Sequence, residues 1–234
     1  VLMLANALAW IAVFDLSRPP VLEVNFFNVG QGDASFIVTP QNHQILIDGG
    51  PDSSILEKLG RTMPFFDRTI DLIVLTHPES DHMRGLLAVL KRYKVENILW
   101  TGVVRDTAEY KEWVRLIEEE ARGGAKITIA KAGQRIYGSF QILFPSENLE
   151  GKVIKDSNGT SIVAKLTFGE NSFLFTGDIS KSAEKELVDG GADIDSDILK
   201  VAHHGSKNSS AKEFIAKVSP EIAVIQLGKD NFYG

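Results

Sequence analysis

The sequence predicts a four-layer αβ/βα sandwich, with two sheets packed face to face and helices outside. Two observations predict it. Strand-like segments come in two runs, each followed by helix-like patterning, so the order reads β-rich, α, β-rich, α. Four polar clusters, Asp48-Gly49-Gly50, His77 to His82, Thr176-Gly177-Asp178 and His203-His204-Gly205-Ser206, each follow an apolar strand-like run. Strand ends on one edge of a sandwich bring such distant positions together.

The elements follow in order. Residues 21–29 alternate and are rich in Val and Phe, the mark of a strand, and Gly30-Gln31-Gly32-Asp33 breaks it. Residues 34–39 and 44–47 read as the next two strands, turned at Pro40-Gln41-Asn42. Asp48-Gly49-Gly50-Pro51 ends the third, and residues 54–59 form a short helix. The run 70–75 reads as a buried strand. Leu86, Val89, Leu90 and Tyr93 have helical spacing, and residues 98–100 suggest another strand. Tyr110, Trp113, Val114, Ile117 and Ala121 mark an amphipathic helix whose aromatic pair belongs to the core. Glu118-Glu119-Glu120 is its solvated face. Strands follow over residues 126–130, 140–144, 161–168 and 172–176, then a helix over 182–188. A strand at 198–202, a helix at 211–218 and a strand at 222–226 complete the pattern, with no internal repeat.

A chain of 234 residues that is 44% apolar can bury one sizeable core. Its net charge of −6 argues against purely electrostatic nucleic-acid binding, which needs a basic face. It leaves open a site whose positive charge comes from metal ions. With no cysteine there is no disulfide framework, thiolate nucleophile or sulfur-ligated zinc. Any metal site must use His, Asp, Glu or Asn, which suits Zn, Mn or Fe.

Residues 1–14 are apolar except for Asn6, shorter than the roughly 20 residues that span a bilayer. They read as the end of a transmembrane helix, the apolar region of a signal peptide or a buried helix. Residue 1 is Val, and Trp10 suits a membrane interface, so a truncated membrane anchor is the favoured expectation. Residues 15–20 then form a stiff linker, which makes residues 1–20 an anchor segment and residues 21–234 the folded domain.

The chemistry concentrates in Thr76-His77-Pro78-Glu79-Ser80-Asp81-His82. Read blandly, it is a polar loop with Asp81 capping the next helix and both histidines solvated. Two imidazoles and two carboxylates within residues 77–82, with further candidates downstream, favour a metal site instead. A divalent ion lowers the pKa of bound water from about 15.7 to about 7 and supplies a nucleophile at neutral pH.

Residues 28–34, 45–50, 76–82, 175–178 and 200–206 together resemble the metallo-β-lactamase fold superfamily. More narrowly, they resemble the C-terminal hydrolase domain of the bacterial competence family ComEC/Rec2. The resemblance covers residues 21–234, and the ending Asn231-Phe232-Tyr233-Gly234 shares it. In the superfamily pattern His-x-His-x-Asp-His, His77 matches the first His, Asp81 the Asp and His82 the last His, while Glu79 replaces the second. Glu79 still offers oxygen, which shifts preference from zinc toward Mn or Mg. The resemblance implies two divalent metal ions, Mn or Zn with Mg as an option, and makes Asp178 the bridging carboxylate. One of His203 and His204 is then the last ligand, and the other contacts substrate phosphate. Asn158 stands where a middle His is expected and is an oxygen ligand, a substrate donor or a turn residue before Gly159. Asp48 and Asp33 either support the site by holding a histidine or form turns. Ser206 or Ser209 binds a phosphate oxygen or is a loop residue. His43 reads as solvated.

The resemblance implies a metal-dependent phosphodiester hydrolase in which Asp81, His82 and Asp178 are catalytic. Its expected substrate is DNA, with one strand degraded while the other enters the cell. It also implies a domain outside the cytoplasmic membrane, partnered by other competence proteins. Two other readings stand beside it: a hydrolase of another ester, lactone or phosphorylcholine-type substrate, and a non-catalytic domain that binds DNA or a partner. Fold alone does not choose between them.

Overall fold

The computed structural model describes residues 21–229 and Asn231, together with Met3, Asn6, Ala9 and Trp10. The anchor and linker expected over residues 1–20 otherwise lie outside the described residues, as do three of the four residues of the 231–234 ending. Among the described residues no helix is long and apolar enough to cross a membrane.

Two six-stranded sheets form. The first runs in sequence order: β1 (Glu23–Phe26), β2 (Ser35–Val38), β3 (Gln44–Ile47), β4 (Thr69–Leu75), β5 (Lys94–Trp100) and β6 (Lys126–Ile129). β1 to β3 pair antiparallel, and β3 to β6 pair parallel. The parallel crossovers are α1 (Ser54–Thr62), α2 (Ser80–Leu90) and α3 (Ala108–Arg122). The second sheet holds β7 (Arg135–Ile136), β8 (Phe140–Phe144), β9 (Val163–Phe168) and β10 (Asn171–Phe175), all antiparallel. It then turns parallel through α4 (Lys181–Asp189), β11 (Ile198–Lys200), α5 (Lys212–Val218) and β12 (Ile222–Val224).

The core explains the sandwich. Ile45, Leu72, Val74 and Leu99 from the first sheet pack with Phe140, Ile142, Leu166 and Phe175 from the second. The opposite face of the first sheet, with Leu46 and Ile73, packs on Ile55, Leu59, Leu86, Val89 and Trp113 of the helices. The second sheet does the same through Leu174 and Leu199, against Leu187, Phe214 and Val218. Central strands covered on both faces read as continuous apolar runs, which is why β4 was legible in the sequence. The exposed Lys94 and Glu96 hid the first half of β5, and the two-residue β7 is too short to leave a pattern. Helix α2 starts at Ser80, six residues before the apolar spacing that marked it, so Asp81 and His82 sit in its first turn.

One close approach fixes α2. Gly49 N–H donates to the His82 carbonyl at 2.8 Å, and Gly85 N–H donates to the Gly50 carbonyl at 3.0 Å. A Cβ at Gly85 would stand 1.8 Å from the Gly49 carbonyl oxygen, so only glycine lets the helix dock there. Gly85→Ala is therefore expected to destabilise the fold by about 2–4 kcal/mol through overpacking. Gly60→Ala, exposed in α1 with open space around its Cβ, should stabilise it by about 0.5–1 kcal/mol. Denaturant unfolding measures both. Equal effects of the two changes would refute the docking argument.

Candidate metal centre

The polar clusters meet where the sheets' strands end. His77 lies two residues beyond β4, Asp48 one beyond β3 and Asp178 three beyond β10. His82 comes from the first turn of α2, and Asp33 precedes β2 by two residues. After β11 the chain turns sharply, with both His203 (φ 51°) and His204 (φ 53°) left-handed. Non-glycine residues rarely adopt that conformation, and two in succession mark a place where tertiary contacts dictate the backbone. The turn separates the two imidazoles: His204 enters the buried cluster, and His203 faces Asn158, its Nε2 3.3 Å from Asn158 Nδ2.

Each clustered histidine is anchored through Nδ1. His82 Nδ1 is 2.8 Å from Asp48 Oδ2, His204 Nδ1 is 2.8 Å from the Gln226 carbonyl, and His77 Nδ1 is 3.1 Å from Thr76 Oγ1. Their Nε2 atoms then turn inward. His82 Nε2 and His204 Nε2 each lie 3.4 Å from Asp178 Oδ2, and His204 Nε2 is also 3.4 Å from Asp81 Oδ2. Candidate ligand atoms of His77, His82 and Asp178, and of Asp81, His82 and His204, fall within 4.8 Å of one another. The Nε2 atoms of His77, His82 and His204 and Oδ1 of Asp178 are buried without a hydrogen-bond partner among the described residues. Burying unpaired polar atoms is costly, so four in one place call for a shared partner. Three imidazole nitrogens and carboxylates are a donor set that suits a divalent cation. The residues present therefore fit the group the sequence implied.

Charge is organised around the same point. Burial works against ionising Asp178, yet the neighbouring His82 and Lys200 outweigh it and hold its carboxyl well below the usual range. Burial likewise opposes Asp81, but His204 and His82 lower it to about 2. Burial and the charge of His82 push His77 down to about 3, so its imidazole is neutral. For His204 burial is overcome by Asp33 and Asp81, which raise it to about 9. A ligating imidazole must be neutral, so a cation here competes with protons. Lys200 is buried at the back of the site: its Nζ contacts Asp33 Oδ2, donates to the Gly177 carbonyl at 3.1 Å and lies 3.8 Å from Asp178 Oδ1.

The structure brings together His77, His82, Asp178 and His204, with Asp81 at the rim and Asp33 and Asp48 behind. It chooses His204 over His203 for the cluster. Glu79 stands apart from it, as the N-cap of α2, paired with Arg105 Nη2 at 2.7 Å and accepting from Ser157 Oγ. Asn158 lies beside His203. Ser206 lines, with Gln31, Asp81, His203 and His204, a cavity of about 350 Å³ that opens onto the site. His43 is not simply solvated: its ring stacks on Tyr137 with centroids 4.0 Å apart. Sequence reasoning missed the roles of Arg105, Gln226 and Lys200. A lysine inside the apolar run Ile198-Leu199-Lys200-Val201-Ala202 was the available signal. Gln226 left none; its amide donates to the Phe27 and Ala34 carbonyls at 3.0 and 2.8 Å while its own carbonyl holds His204.

Two sheets in this order, with a His/Asp cluster at their ends, define a protein of the metallo-β-lactamase class. The family model of the metallo-beta-lactamase superfamily matches residues 27–229, and the chain belongs to that superfamily. Within it, the chain is 30% identical to ComE operon protein 3 of Bacillus subtilis, over 99% of this chain and 32% of that protein. It is 33% identical to competence protein ComA of Neisseria gonorrhoeae, over 90% of this chain and 28% of the relative. It is 29% identical to recombination protein 2 of Haemophilus influenzae, over 94% and 26%. The chain thus spans about a third or less of the length of these relatives. Among solved structures it is similar to Igni18, a metallo hydrolase from Ignicoccus hospitalis, with TM-score 0.52, 16% identity and coverage of 86% of this chain and 80% of that one. It is also similar to CmlA, a diiron β-hydroxylase from Streptomyces venezuelae, with TM-score 0.51, 17% identity and coverage of 88% and 45%. These two likenesses concern the fold; they span two chemistries.

With Glu79 committed to Arg105 and Ser157, Glu79→Gln is expected to lower stability by about 0.5–1 kcal/mol, as befits a half-exposed pair. Bound metal per chain, measured by mass spectrometry, should stay unchanged. A fall in metal content would return Glu79 to the ligand set.

Proposed function

We propose that this domain is a metal-dependent phosphodiester hydrolase that acts on DNA during its uptake. The observation that carries the metal reading is the convergence of three buried, unpaired imidazole Nε2 atoms on Asp178. The DNA reading draws on the names of the relatives, two of which are competence and recombination proteins. In this reading His77, His82, His204, Asp81 and Asp178 would hold divalent ions, two in number and Mn or Zn in kind. When bound, such ions polarise a phosphoryl oxygen and make a water-derived nucleophile available at neutral pH.

The chain's own residues do the rest. Asp48 accepts from Thr76 N–H at 2.8 Å and Thr76 Oγ1 at 2.7 Å while holding His82 Nδ1, so it fixes that ring's tautomer and direction. Lys200 balances the charge of Asp33 and Asp178 and keeps both ionised. Asp81, at the cavity rim and ionised, orients the attacking water through its carboxylate. His203 and Asn158, side by side at the mouth, face an incoming phosphodiester, and Ser206 offers a hydroxyl nearby. Asn158 is then a substrate donor rather than a ligand. Single-stranded DNA is the substrate, the hydrolase domain stands outside the cell membrane to which residues 1–20 anchor it, and other competence proteins deliver the strand.

Two measurements test this reading. Cleavage of single-stranded DNA by the chain, with Mn²⁺, Mg²⁺ or Zn²⁺ added in turn, should fall by roughly 100-fold or more in the Asp81→Ala/His82→Ala variant. Metal-loaded protein that spares DNA but cleaves a lactone or phosphorylcholine ester would replace DNA with that substrate. Separately, Asp48→Asn, which suits the left-handed backbone at that position (φ 58°), should weaken Mn²⁺ binding by roughly 10–100-fold in calorimetry and lower stability by about 1–3 kcal/mol, because one of the two oxygens that accept from Thr76 and His82 becomes an amide donor. Unaltered affinity would reduce Asp48 to a turn residue.

A further inference from the structure

The edge of the first sheet opposite the metal cluster carries an unexplained feature. Pro64 to Asp67, between α1 and β4, form a tight turn closed by Asp67 N–H to the Pro64 carbonyl at 2.9 Å. Its two corner residues, Phe65 and Phe66, are 87% and 88% exposed. Two adjacent phenylalanines held out at a turn tip contribute nothing to the core, whereas Met63 just before them is buried.

Strand register says what shares that edge. Glu23 pairs with Val38, Val38 with Gln44, and Thr69 with Lys94, so β1, β3, β4 and β5 all begin there and run toward the site. The apolar stretch of residues 1–14 therefore joins the domain, through residues 15–22, at the same edge as the phenylalanine tip. Met3 and Trp10, two described residues of that stretch, are themselves 90% and 70% exposed. The rim of the tip is basic: Arg68, Arg92 and Lys94 are exposed and make no ion pair among the described residues. Arg68 instead lies over the Phe65 and Tyr93 rings, 5.9 and 5.8 Å from their centroids. The nearby acids Asp67 and Asp71 turn inward, accepting from Gln44 Nε2 and Gln44 N–H, both at 2.6 Å; Glu23 and Glu96 remain exposed. Aromatic side chains flanked by unpaired arginine and lysine are the combination that settles at a bilayer interface with anionic lipid.

We propose that the Phe65–Phe66 tip docks into a lipid bilayer surface, so that the membrane meets this edge of the sheet and the metal cluster faces water. The proposal concerns how the domain is oriented and is independent of what the cluster cleaves.

The chain has no cysteine, so single-cysteine variants take one nitroxide label each. Phe65→Cys and Phe66→Cys would be labelled in the full chain and reconstituted in vesicles of phosphatidylethanolamine and phosphatidylglycerol. Asn208→Cys, exposed beside the site, gives the aqueous reference. The expected result is a ratio of oxygen to nickel-chelate collision several-fold higher at residues 65 and 66 than at 208, lost when vesicles are omitted. Water-like ratios at 65 and 66 in the presence of vesicles would overturn the proposal. Exclusion of both reagents, with or without vesicles, would overturn it too and point to a protein partner on the tip.

Discussion

The Asp48 carboxylate is the interaction on which the site depends. It stands at the end of β3 yet binds the backbone and hydroxyl of Thr76 at the end of β4 and the ring of His82 in α2. β3, β4 and α2 are thereby locked at one point, and all three distances fall between 2.7 and 2.8 Å. Burial pushes the Asp48 carboxyl up, and the charge and hydrogen bond of His82 work against that. Its partners are thus what make a carboxylate tolerable in so buried a place. Gly49, immediately after it, lets α2 approach closely enough for His82 to reach that carboxylate, since a Cβ there would stand 2.4 Å from Leu86 N.

Much of this was legible in the sequence, for a physical reason. Central strands are apolar where they are buried, so the buried ends of β3, β4 and β10 announced themselves, and the polar residues just beyond them stood out by contrast. Catalytic-type side chains sit at strand ends because the sheet holds them rigidly there, and that arrangement leaves a pattern. Lys200, Arg105 and Gln226 left little trace because their partners lie 22 residues or more away in sequence. Arg105 reaches carbonyls at 154 and 155, Gln226 reaches 27 and 34, and Lys200 reaches Asp33. The choice between His203 and His204 was equally invisible, since adjacent residues are told apart only by the two left-handed turns that send their rings different ways.

Glu79 shows how a residue matched by position can have other partners within its reach. The superfamily's spacing placed it among the ligands, but its backbone caps α2 in an extended conformation and its carboxylate meets Arg105 and Ser157. These contacts tie the helix start to the loop before Val163, so the residue shapes the site's wall. The candidate set of three imidazoles from residues 77, 82 and 204, with oxygen from aspartates, would differ in composition from a full set of histidines. That difference bears on metal choice more than on fold.

Parallel strands also divide the labour of the two edges. Because β3, β4 and β5 run the same way, every strand start lies on one side and every strand end on the other. β4 and β5 are seven residues long, which at about 3.3 Å per residue separates the edges by about 23 Å. A bilayer that met the Phe65–Phe66 edge would leave the metal cluster roughly that far above the lipid surface, clear of the headgroups. The aromatic tip and the ligand cluster are then two consequences of one topology. The same strands that gather the ligands hold them at a set height over whatever surface the opposite edge touches.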